Sequence, residues 1–139
     1  MADFTIKKTV FLKAPAEHVW TFLTEKEKLA IWFHEGESDF REGGPYAVLT
    51  NSLGKEGTRL CWGDIIEYNP PHRLVHTFTH EGLGGVETRC EWTLVDVVGG
   101  TILTLEHSGF ENAKDAFGEA ADHDKGWDTH FVRLRQVTA

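Results

Sequence analysis

The sequence predicts an α+β fold: a curved antiparallel sheet of about six to seven strands, two short helices after the first strand, and a long C-terminal helix packed across the sheet. Three observations predict it. Short segments rich in strand-forming residues, separated by clusters of turn residues, run from Tyr46 to His107. A proline-opened helical pattern lies between the first strand and that series. The last strand, Thr101–His107, hands over after Gly109 to a tail whose apolar stripe is Trp127, Phe131 and Leu134, at i, i+4 and i+7. Short connections favour antiparallel neighbours, and the tail is the long element available to cover one sheet face, so a cavity can lie between them.

The elements follow in order. Thr5–Leu12 has strand composition. Ala14-Pro15-Ala16-Glu17 opens a helix with Val19, Trp20 and Leu23 on its apolar side. Thr24 followed by Glu27 has the spacing of a capping box and predicts a second helix carrying Leu29, Ile31, Trp32 and Phe33, ending by Gly36. Ser38–Arg41 is expected to be a strand, as are Tyr46–Thr50 and Thr58–Tyr68, the latter bent at Gly63. Asn69-Pro70-Pro71-His72 turns the chain into Arg73–His80, Glu81–Gly85 is a flexible turn, and Val86–Val97 pairs through Gly99-Gly100 with Thr101–His107. Gly118 and Gly126 weaken the tail, so the long helix is expected from near Ala120, with 112–118 a separate turn.

The chain has 139 residues and a net charge of −8. That length fits one domain, 1–139. No basic stripe is present, so nucleic acid is not an expected partner. No apolar run approaches the ~20 residues of a membrane span, and no leader pattern opens the sequence, so a cytoplasmic location without membrane insertion is expected. Cys61 and Cys90 read as reduced thiols, because a meander places the strand from Arg73 between them.

Alternation assigns faces. Leu74, His76 and Phe78 share one side of their strand; Val86, Thr88, Cys90, Trp92 and Leu94 share one side of the next; Leu103, Leu105 and His107 share one side of the last. The inward set therefore mixes large apolar groups with His76, Thr88, Cys90 and His107. Buried polar groups cost about 1–3 kcal/mol each when unpaired, so these pair with one another or meet a ligand.

Several motifs are in family order. They are Ala14-Pro15-Ala16-Glu17-His18-Val19-Trp20, Gly43-Gly44-Pro45-Tyr46, Gly63-Asp64-Ile65-Ile66-Glu67-Tyr68-Asn69-Pro70-Pro71 with Arg73-Leu74-Val75, Gly100-Thr101-Ile102-Leu103-Thr104-Leu105 with His107-Ser108-Gly109-Phe110, and Gly126-Trp127. Together they resemble the START-like helix-grip superfamily, also called SRPBCC or Bet v 1-like. The nearer likeness is to the branch named for the C-terminal domain of the 90-kDa heat-shock-protein ATPase activator. The resemblance implies a sheet gripping its C-terminal helix around a cavity, in a superfamily whose members bind lipids, sterols, polyketides or other apolar molecules and include cyclases. The segment Ala113–Asp124 departs from the usual lead-in to the last helix and is expected to form a lid or a partner surface.

The leading expectation is a binding protein for a small, largely hydrophobic ligand. Phe78, Trp92, Leu105, Trp127 and Phe131 would wall the cavity, with Cys90 and Leu103 on the same face. Trp32, Phe40 and Trp62 would rim its mouth, and His76 and His107 would orient the ligand's polar end. One alternative is a cyclase- or hydrolase-like enzyme using those two histidines; another is a chaperone-interaction module. Homodimerisation is compatible with all three. No cofactor is expected. Asp122, His123, Asp124, Asp128 and His130 lack the His-Glu-x-x-His arrangement and are read as helix-end or structural groups, with no metal expected.

Overall fold

The computed structural model describes residues 4–51 and 53–139. Its elements are β1 (Ile6–Leu12), α1 (Ala16–Thr24), α2 (Lys26–Trp32), β2 (Pro45–Leu49), β3 (Arg59–Asn69), β4 (Arg73–Phe78), β5 (Thr88–Val97), β6 (Gly100–Ser108) and α3 (Ala116–Thr138). The strands form one antiparallel sheet in the order β1-β6-β5-β4-β3-β2. The meander thus runs outward from β2 to β6, and β1 returns to close the far edge. Among the described residues no helix is long and apolar enough to cross a membrane.

Register confirms the predicted inner face. Ile65, His76, Cys90, His107 and Ile6 align across β3, β4, β5, β6 and β1. Leu74, Trp92 and Leu105 form the next row, which ends on Lys8. Across this face lies α3, burying Trp127, Phe131, Leu134 and Thr138. Lys8 ties the helix to the edge strand, its Nζ 2.8 Å from carboxylates of both Asp124 and Asp128. Burial alone would lower the pKa of this ammonium, but the bonds to the two aspartates outweigh it and hold it above the ordinary value.

Three expectations change. No strand forms at 38–41. The segment is a loop that staples the helix pair: Asp39 Oδ1 accepts from Lys26 N at 2.8 Å and Phe40 N donates to Thr24 O at 2.8 Å. The strand count is therefore six among the described residues. Thr24 does not cap α2, because its hydroxyl donates back to Trp20 O at 2.9 Å and Asp39 takes the capping role. Finally, α3 begins at Ala116 rather than near Ala120. Asp115 is its N-cap and accepts from Gly118 N, so Gly118 sits in the first turn where a glycine costs little. Most of 113–124 is accordingly helix.

Gly63 lies where β3 changes partners: Gly63 and Asp64 pair with Tyr46 and Pro45 of β2, and Ile65 pairs with His76 of β4. A Cβ there would overlap Thr77 O and lie 2.6 Å from Thr77 Oγ1, which accepts from Asp64 N. Gly63→Ala should therefore destabilise the fold by about 1–3 kcal/mol, read as a lowered urea midpoint at constant slope.

Candidate functional site

A pocket of about 240 Å³ opens between the β3–β4 region, the chain after α2 and the 122–130 stretch of α3. Phe33, Leu60, Cys61, Phe78 and Trp127 give it an apolar wall. His34, His80, Asp122, His123 and His130 supply its polar lining, with Gly126 between the two helical histidines. A second void of about 30 Å³, room for about one water, lies beneath and shares Phe33, Cys61, Phe78 and Trp127 with it. The wall is a column of rings. Phe33 stacks on Trp127 at 5.6 Å, Trp127 on Phe131 at 5.6 Å, and Phe131 on Trp32 at 6.2 Å.

The sequence-derived candidates divide into four groups. Phe78 and Trp127 line the pocket itself. Trp32, Phe40, His76 and Trp92 line the small void beneath. Cys90, Leu103, Leu105, His107 and Phe131 are buried in the packing behind both. Trp62 lies on the opposite side of the sheet, in a shallow surface with Glu37, Arg59 and Asp64. Its place at the cavity mouth is corrected because Cys61, one residue earlier, points inward; strand alternation then turns Trp62 outward.

The two inner histidines use both ring nitrogens within the protein. Trp92 Nε1–H donates to His76 Nε2 at 2.9 Å, which assigns the His76 proton to Nδ1, 2.9 Å from Thr77 O. Trp127 Nε1–H donates to His107 Nδ1 at 3.0 Å, so His107 Nε2–H donates to Thr88 Oγ1 at 2.8 Å, and Thr88 donates to Phe78 O. Burial holds His76 down to about 4. Burial, reinforced by His123, His76 and His80, holds His107 well below its ordinary value. Neither imidazole presents a nitrogen to the pocket, for a ligand or for proton transfer.

The polar groups that do face the pocket come from the rim. His80 Nε2 and His123 Nε2 are 3.0 Å apart. His80 is lowered by burial and by His123, with Glu119 opposing. His130 is lowered by burial and by His34, while its bond to Trp32 O acts the other way. Burial also lowers His34, whose Nδ1 has no hydrogen-bond partner. Sequence reasoning placed His123 on α3 but missed its partner His80, which is 43 residues away. The Glu119–His123 spacing of one helical turn was the available signal.

A family model described as Activator of Hsp90 ATPase homolog 1-like protein matches residues 13–139. Among solved structures, CalU16 from Micromonospora echinospora is 28% identical with a TM-score of 0.75, covering 94% of this chain and 73% of that one. Protein BH1534 from Bacillus halodurans is 26% identical with a TM-score of 0.75, covering 100% of this chain and 98% of that one. MLL2253 from Mesorhizobium loti, 20% identical, shares the fold with a TM-score of 0.82 over 95% of this chain and 94% of its own. No curated protein matches the chain.

Two neutral buried histidines have a definite pH signature. Their folded pKa values lie below the unfolded value of 6.5, so protonation favours unfolding. Their contribution to stability is full above pH 6.5 and is lost as pH falls from 6.5 towards about 4. Each adds up to about 1.4 kcal/mol per pH unit to that loss. Urea midpoints measured across this range should fall accordingly, and His76→Gln, which can still accept from Trp92, should flatten the fall.

Proposed function

The chain belongs to the family of Activator of Hsp90 ATPase homolog 1-like proteins, and on that premise we propose that it binds a compact, largely apolar small molecule in the pocket between the sheet and α3. One observation carries the reading. Position 126 is inside α3 and lines the pocket, a Cβ there would meet nothing within 4 Å, and the residue is glycine. Glycine inside a helix costs about 0.8–1.0 kcal/mol relative to alanine, and nothing packed against it requires that. What the glycine preserves is open space on the pocket wall.

The volume bounds the ligand. About 240 Å³ exceeds the ~150 Å³ apolar cavity that admits benzene and falls below the ~300 Å³ at which drug-sized sites begin. A one- or two-ring molecule fits; sterols and lipid chains are larger. The apolar face would rest on Phe33, Phe78 and Trp127, and a polar substituent would meet the rim histidines rather than His76 or His107. Burying about 200 Å² of aromatic surface is worth about 5 kcal/mol before association costs, so an unoptimised ring should bind no tighter than about 0.2 mM.

Native mass spectrometry of freshly purified protein should show a co-purifying small molecule, and calorimetric titration with 2-naphthol should give one site. Gly126→Phe, which fills the pocket, should weaken that binding at least about tenfold, while Gly126→Ala should raise stability by up to about 1 kcal/mol. Equal binding by wild type and Gly126→Phe would remove the pocket from the account.

A further inference from the structure

We propose that His80, Glu119 and His123 form a binding site for a divalent first-row transition metal, with zinc as the representative ion, at the edge of the pocket. Their three donor atoms lie within 4.8 Å of one another. His80 follows β4 as the N-cap of the short 3₁₀ turn Glu81–Leu83, and Glu119 and His123 stand one turn apart on α3. The site therefore joins the sheet to the gripping helix. Two imidazoles and one carboxylate are a donor set that suits zinc, iron or copper, whereas magnesium and calcium take oxygen ligands.

The geometry is close to a bound arrangement. Two nitrogens held at 2.0–2.1 Å on a tetrahedral ion lie about 3.3 Å apart, and the two Nε2 atoms are 3.0 Å apart. Glu119 Oε2 lies 4.0 Å from His80 Nε2 and 3.9 Å from His123 Nδ1, so a modest swing of a partly exposed carboxylate completes the set. His123 is already oriented as a ligand. Its Nδ1 donates to Glu119 O at 2.7 Å, which leaves the Nε2 lone pair outward, the usual second bond of a metal-bound histidine. Edge contacts from Phe78 and His107 and a tilted contact from Phe110 hold its ring.

His80 is the part that must change. Its Nδ1 accepts from Gly82 N at 3.1 Å, so without metal its Nε2–H points at His123. Metal entry moves that proton to Nδ1, releases Gly82 and tilts the two rings so that both lone pairs converge beside their present contact. With Glu119 ionised and both imidazoles neutral, the site offers one negative charge to a dication, and Asp122 lines the adjoining pocket. The donors are partly exposed, with side chains at 23%, 24% and 15% for His80, Glu119 and His123, which provides an entry path and leaves positions for water or an oxygen ligand.

The test uses the full chain, stripped with chelator and titrated with zinc sulfate at pH 7.5 against a chromophoric chelator. The expected result is one zinc per chain with a rise in Tm. His80→Asn and Glu119→Gln, each checked for an unchanged circular dichroism spectrum, should each weaken zinc at least about tenfold. His72→Asn, which removes the separate exposed histidine at the Asp96 contact, should leave it unchanged. Absence of stoichiometric zinc, or equal affinity in the His80 and Glu119 variants, would overturn the site. Neither result depends on whether 2-naphthol binds, so the metal site and the ligand pocket stand or fall separately.

Discussion

The hydrogen bond from Trp127 to His107 is the contact around which this molecule is organised. It joins the gripping helix to β6 at 3.0 Å between two buried groups. On one side the Trp127 indole continues a ring column with Phe33 and Phe131; on the other it forms the pocket wall. Because the indole can only donate, it dictates which nitrogen of His107 carries the proton, and that choice propagates through Thr88 to the Phe78 carbonyl. A buried polar chain of this kind is stabilising only when every member is satisfied. Here each donor along the chain from Trp127 to the Phe78 carbonyl has an acceptor, so the helix can settle on this face in one position.

The same arithmetic separates wall from rim. Polar groups on the inner face could have served a ligand or one another, and they serve one another: the Trp92–His76 pair repeats the Trp127–His107 pair, with its histidine two strands away. The groups left to meet a ligand or an ion stand at the edges, where α3 and the loops following α2 and β4 approach each other. Glycine at 126 fits this division, since it removes bulk from α3 where the helix passes the opening. Lys8 with Asp124 and Asp128 anchors the helix on the far side, away from the pocket.

Much of the fold was legible because the signals were local. Alternation in Thr88–Leu94 and Leu103–His107 named the inward residues, and the register bears them out. The Trp127, Phe131, Leu134 stripe named the buried side of α3. The misreadings were also local in origin. Gly118 looked like a helix breaker until Asp115 was seen to cap the turn it occupies. Trp62 looked like a cavity residue because composition does not report strand phase, and a shift of one residue sends it to the other face.

The amino-acid sequence by itself determined the architecture, the inward face of the central strands and the aromatic character of the interior, because each follows from periodicity along the chain. Only the tertiary structure decided which histidines are spent and which are available. His76 and His107 resemble His80 and His123 in sequence, and all four are single imidazoles. They differ in what lies across from them: an indole N–H for the first two, and another imidazole for the last two. A ring nitrogen's chemistry is set by the group that faces it, and that group is brought from distant parts of the chain only when the sheet closes on its helix.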